Sequence, residues 1–141
     1  MPDKETKLAA ATFLARAAEL RHIASFLKDF CTREAVGREA CLKLNLVVEE
    51  LFTNTVRHGH CGDCDAPVWL TVAAGAQALE LTYEDTAPPF NPYALFASAP
   101  DTTLSLRRIG GLGVLLTREL AATRDYAYLF GRNRVRLTLK P

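Results

Sequence analysis

Residues 44–60, reading Leu-Asn-Leu-Val-Val-Glu-Glu-Leu-Phe-Thr-Asn-Thr-Val-Arg-His-Gly-His, constrain the fold more than any other stretch of the chain. Leu44, Val48, Leu51, Phe52 and Val56 fall at i, i+4, i+7, i+8 and i+12, the period that lines up one side of an α-helix and turns it toward a core. The same period gathers Lys43, Glu50, Asn54 and Arg57 into a polar stripe on the other side, with Glu50 and Asn54 one turn apart. Leu46 and Val47 flank that stripe, so the helix is apolar over most of its circumference and is expected to be buried. A carboxylate beside a carboxamide is costly there without partners. Two accounts of the pair are open. Glu50 and Asn54 sit at a solvated edge, or they hold a hard divalent cation such as Mg²⁺ and activate a hydroxyl or water beside it.

A chain of 141 residues is long enough for one domain with a real core, and residues 1–141 are read as a single domain. The formal net charge of +1 leaves no electrostatic footprint for nucleic acid or anionic lipid. No apolar run reaches the roughly 18 residues of a membrane span, and the opening Met-Pro-Asp-Lys-Glu-Thr-Lys lacks a signal-peptide core, so a cytoplasmic protein is expected. Four cysteines, at 31, 41, 61 and 64, are too few and too unevenly spread for a disulfide scaffold; two fall in predicted helices, and all are expected to be reduced. Cys61 and Cys64, with His58 and His60 just before them, allow a four-ligand metal site to be drawn. Structural zinc sites, however, take their second ligand pair from a distant segment, which favours a loop with incidental cysteines.

Around this helix the chain reads as α/β. Residues 6–14 mix helix-favouring alanines with an alternation of Leu8, Ala10, Thr12 and Leu14, read as an edge strand. Residues 15–32 form an amphipathic helix through Leu20, Ile23, Ala24, Leu27 and Phe30 or Cys31. Gly37 interrupts the helical run, and the central helix extends from there to about His58 with Gly59 as its C-cap. Residues 68–72 and 78–83 are strands joined at Gly75 into a hairpin. The second runs into Glu84-Asp85-Thr86-Ala87-Pro88-Pro89-Phe90-Asn91-Pro92, whose prolines forbid regular structure and leave an acid at a strand end. Residues 93–108 are mixed and polar after Pro100, with a short helix at 92–96. Ile109-Gly110-Gly111-Leu112-Gly113 then opens a helix over 114–120, and residues 126–130 and 135–139 pair as strands around a turn at 131–134.

Three features now stand in order: Glu50 and Asn54 on a helix, Asp85 at a strand end, and a glycine-rich turn opening a helix. Such a turn exposes backbone N–H groups to phosphate oxygens, although glycines also serve as plain punctuation and Asp85 also suits a turn before prolines. In this order, Val-Val-Glu-Glu-Leu-Phe-Thr-Asn-Thr-Val-Arg-His-Gly, Asp-Thr-Ala-Pro-Pro-Phe-Asn-Pro and Ile-Gly-Gly-Leu-Gly-Val resemble the ATP-binding fold shared by DNA gyrase, Hsp90, MutL and the histidine kinases, called GHKL or Bergerat. Within that superfamily the chain resembles the anti-sigma-factor serine kinases of the RsbW and SpoIIAB type over nearly its whole length.

The resemblance implies a two-layer α/β sandwich, with a mixed, mainly antiparallel sheet covered on one face by helices. It implies ATP and Mg²⁺ as cofactors, Glu50 as general base, Asn54 as the Mg²⁺ ligand and Asp85 as acceptor from the adenine amino group. Arg57, Ala87, Gly110, Gly111, Leu112 and Gly113 complete the cofactor contacts it implies, the glycines lying by the phosphates under a lid at 93–110 from which Arg107 and Arg108 reach them. One departure stands out: the superfamily writes Asp-x-Gly-x-Gly where this chain has Asp85-Thr86-Ala87-Pro88-Pro89, a form similar to that of RsbW-type proteins. The implied function is a serine/threonine kinase acting on a STAS-type anti-anti-sigma protein. The alternative is an ATP-responsive module that sequesters a sigma factor without significant kinase activity. A homodimer is implied, with no nucleic acid or membrane as partner. A histidine kinase is not expected without a preceding phospho-accepting helix, nor a gyrase or MutL unit without a following transducer domain.

Overall fold

A computed structural model of the chain describes residues 7–91 and 121–139. The predicted lid at 93–110, the helices at 92–96 and 114–120 and the glycine motif Gly110, Gly111, Leu112 and Gly113 lie outside the described residues.

The first strand, β1 (Lys7–Leu14), follows the alternation rather than the alanine content. It pairs antiparallel with β2 (Pro67–Ala74) along its whole length, from Lys7 opposite Ala74 to Leu14 opposite Pro67, and this ladder outweighs the helix propensity of Ala9, Ala10 and Ala11. The chain stays tied to β2 past that point: Ala15 N donates to Ala66 O at 2.9 Å, and Cys64 N donates to Ala15 O at 3.0 Å. Helix α1 (Leu20–Arg33) therefore starts later than the expected residue 15, after a 3₁₀ turn at Ala17–Glu19. It buries Ile23, Leu27, Phe30 and Cys31.

Helix α2 (Arg38–Asn54) buries Ala40, Leu44, Val47, Val48, Leu51 and Phe52, the face its periodicity marks. Leu42 and Leu46 are 59% and 40% exposed, so the expectation that α2 is buried around most of its circumference fails on that flank. The reason is geometric. Among the described residues α2 packs on the sheet and on α1, and neither covers the flank that carries Leu42 and Leu46.

The sheet has five strands in the order β1-β2-β3-β5-β4, with β3 at Leu79–Asp85, β4 at Ala121–Leu129 and β5 at Arg132–Leu139. All four described pairings are antiparallel. Alternate residues Val68, Leu70 and Val72, Leu79, Leu81 and Tyr83, and Val135, Leu137 and Leu139 form its buried face and share one core with α1 and α2. The result is the expected two-layer α/β sandwich with the helices on one face.

The last hairpin turns more tightly than its sequence implies. Phe130 and Gly131, at φ 53° and 77°, make a two-residue connection in which both central residues take positive φ, as a type I′ turn requires. Arg132, Asn133 and Arg134 consequently belong to β5, opposite Leu129, Tyr128 and Ala127, rather than to a four-residue turn. Asn133 thereby comes into register with Asp85 across the β3–β5 ladder.

Candidate functional site

Asp85 ends β3 on the buried face of the sheet and is only 8% exposed. A carboxylate so placed must be hydrogen-bonded, and it is. Its Oδ1 accepts from Asn133 Nδ2 at 2.9 Å and from Ala87 N at 3.2 Å, and its Oδ2 accepts from Thr55 Oγ1 at 2.7 Å. Thr55 has one hydroxyl hydrogen, and the charge of the carboxylate claims it. Tyr83 OH, 2.7 Å from Thr55 Oγ1, is then the donor to Thr55, and a directed chain runs from Tyr83 through Thr55 to Asp85. Burial pushes the Tyr83 phenol well above its ordinary value and the charge of Asp85 adds to this, outweighing the opposing effect of the hydrogen bond with Thr55, so Tyr83 stays a donor at neutral pH. A carboxylate offers about four lone-pair sites. Among the described residues three are taken, two on Oδ1 and one on Oδ2, which leaves a site on Oδ2.

Asn54 is the last residue of α2, where the helix widens into a π-helical turn over Thr55–Gly59. Such turns are frequent at functional sites. This one buries Thr55 and Val56 and leaves Arg57 and His58 exposed. Asn54 Oδ1 is buried with no hydrogen-bond partner among the described residues, an arrangement that costs free energy unless a ligand occupies the atom. A carboxamide oxygen is a hard donor of the kind Mg²⁺ selects, so the residue fits the cation implied for it. Glu50 is half-buried one turn earlier on α2, and Lys43 pairs with Glu39 at 3.5 Å. Of the polar stripe only Asn54 lines the cavity described next, among its described lining residues; Glu50 and Arg57 do not.

The cavity holds about 430 Å³, within the range of small-molecule sites. Leu51, Asn54, Thr55, His58 and Gly59 line it from the helix, Tyr83 and Asp85 from β3, Ala87 to Phe90 from the following loop, and Asn133 and Val135 from β5. Sequence reasoning reached Asn54, Asp85 and Ala87 but missed Thr55, Tyr83 and Asn133. A signal for Asn133 existed: it interrupts the inward apolar row continued by Val135, Leu137 and Leu139.

Gly59 is not the left-handed C-cap expected of it. Cys61 and Gly62, at φ 59° and 140°, turn the chain instead. Gly59 is required for closeness, since a Cβ there would stand 2.7 Å from Ala87 Cβ. Gly59→Ala is expected to push the Ala87 segment away and lower stability by about 1–3 kcal/mol, read as a shift in the urea midpoint. An unchanged midpoint would show that the two segments do not touch.

The loop holding Cys61 and Cys64 is tied to the segment between β1 and α1: Arg16 Nε donates to Asp65 Oδ1 at 2.8 Å, and Ala17 N donates to Asp63 Oδ1 at 2.8 Å. Among the described residues no group of three or more His, Cys, Asp or Glu side chains could hold a metal ion. All four cysteines are free, and burial, with a contribution from neighbouring Cys41, pushes the Cys31 thiol up to about 12. No described helix is long and apolar enough to cross a membrane.

A family model described as a histidine kinase-like ATPase domain matches residues 13–139. No curated relative matches the chain.

Proposed function

Because this chain belongs to the histidine kinase-like ATPase family, we propose that it is an ATP-binding anti-sigma regulatory factor that phosphorylates a serine or threonine of a STAS-type anti-anti-sigma protein. The observation that carries the nucleotide half is Asp85, a buried carboxylate fixed by three donors beside a cavity of about 430 Å³ with one acceptor site to spare. That site suits the exocyclic amine of adenine. A guanine carbonyl at the same place would meet negative charge.

Asn54, with its orphaned Oδ1, would hold Mg²⁺, which when bound neutralises phosphate charge. Phosphate contacts fall by motif to Gly110, Gly111, Leu112 and Gly113, with Arg57 beside the helix end. Glu50 takes the proton of the attacking hydroxyl as its oxygen bonds to the γ-phosphorus, and the bond from that phosphorus to the bridging oxygen breaks to release ADP. Little else is asked of the protein, because phosphoryl transfer depends mostly on positioning and charge. A homodimer and a lid at 93–110 that closes over ATP complete the reading.

The test uses the purified protein and a STAS protein encoded nearby. After incubation with ATP, mass spectrometry is expected to find one phosphoserine or phosphothreonine on the partner, and partner affinity is expected to differ between ADP and a non-hydrolysable ATP analogue. Nucleotide-dependent affinity without phosphate transfer gives the sequestering module instead. Equal affinities and no phosphate overturn both.

A further inference from the structure

We propose that Asn133 is a specificity-determining positioning residue, whose carboxamide locks the Asp85 carboxylate and the loop at 87–90 so that the cavity accepts a base presenting an amino group. This deepens the ATP-binding reading above and rests on it. Asn133 reaches the site because β5 brings it opposite Asp85 in the ladder, on a rigid strand rather than on the loop it organises.

The two ends of the carboxamide face opposite chemistry. Nδ2 stands 2.9 Å from Asp85 Oδ1, 2.9 Å from Ala87 O and 3.2 Å from Pro88 O, all acceptors. Oδ1 accepts from Phe90 N at 3.0 Å and from Tyr126 OH. Tyr126 OH is also 3.1 Å from Phe90 N, and burial raises its phenol pKa, which keeps it a donor. A flipped amide would set its NH₂ against the Phe90 N–H and its oxygen against three oxygens, so the orientation is fixed by these four contacts.

The loop needs this outside support. Pro88 and Pro89 have no N–H to donate, and the glycines that would let the main chain fold back on itself are absent. Within the loop, Ala87 N to Asp85 is the described side-chain tie; Asn133 adds three, to Ala87, Pro88 and Phe90, its two Nδ2 hydrogens being shared among Asp85 and the two carbonyls. With two donors held on Oδ1 and one on Oδ2, the carboxylate cannot rotate without losing bonds. Its spare acceptor site keeps one direction, and that direction decides which base edge is tolerated.

Calorimetric titration of the full chain with ATP and with GTP tests this. The parent is expected to prefer ATP. Asn133→Ala is expected to weaken ATP binding about tenfold while changing GTP affinity by less than about threefold, so that selectivity collapses. Tyr126→Phe removes the donor to Oδ1 and the hydroxyl beside Phe90 N, which keeps its bond to Asn133 Oδ1; it leaves the Nδ2 contacts in place and is expected to lower selectivity by about threefold with an unchanged circular dichroism spectrum. A folded Asn133→Ala protein that keeps the parent's ATP-to-GTP ratio, whether at full or uniformly reduced affinity, overturns the proposal. If Asn133→Ala does not fold, an unchanged ratio in Tyr126→Phe overturns it. A parent that binds neither nucleotide overturns the ATP reading itself.

Discussion

Glu50→Ala is expected to slow phosphoryl transfer by about 10²- to 10⁴-fold while ATP affinity stays within about twofold of the parent. The separation follows from position. Glu50 is half-buried on α2 one turn before Asn54 and is not among the described residues lining the cavity, so its removal leaves the base site intact. Asn54→Ala is expected to fail differently: the orphaned oxygen is lost, and nucleotide binding weakens in Mg²⁺ but hardly at all in EDTA. Single-turnover phosphorylation of the partner, with calorimetry in the presence and absence of Mg²⁺, reads both effects. If Glu50→Ala lost ATP binding and thermal stability together, the acid would be structural and the solvated-edge account of the stripe would stand.

Asp85→Asn is expected to weaken ATP binding by at least about 10²-fold, to the point of abolishing it at ordinary concentrations. Thr55 Oγ1, Ala87 N and Asn133 Nδ2 all donate to the carboxylate. An amide there turns one end into a donor facing a donor, and the charge that strengthens the remaining bonds is gone. The same conflict is expected to lower stability by roughly 1–3 kcal/mol, the cost of an unsatisfied buried polar group. Calorimetry and urea denaturation measure the two losses. Unchanged ATP affinity in a folded Asp85→Asn protein, or equal affinity of the parent for ATP and GTP, would remove the adenine assignment.

What the sequence discloses here is whatever depends on local period. The apolar stripe is buried at Leu44, Val48, Leu51 and Phe52 of α2 and at Val56 in the π-helical turn after it, and the alternation of β2 and β3 sets the residues of the sheet's inner face. Asp85 is recognisable as an acid at a strand end. Its partners are not, because Thr55 lies 30 residues and Asn133 48 residues away, and only the helix-on-sheet packing and the β3–β5 register bring them together. Gly59 shows the same limit. A glycine after a helix reads locally as a cap, whereas its reason here is a contact with Ala87 across 28 positions (87 minus 59). Leu46 fails for a related cause, since periodicity says which residues share a flank of a helix but not how many neighbours arrive to cover it.

The strand order β1-β2-β3-β5-β4 also has a consequence for the time at which the site comes into being. Asp85 meets Thr55 through the packing of β3 under the helix, whereas its bond to Asn133 needs β5, whose pairing closes a loop of 48 residues. Closing a loop of that length costs chain entropy before its contacts repay it, and β3–β5 pairing is a non-local step. During synthesis Asn133 emerges from the ribosome well after every other residue of the cavity described here except Val135. A nascent chain that ends before β5 has the acid but not its clamp. On the proposed reading, discrimination between bases would depend on β3–β5 pairing as much as on Asp85 itself.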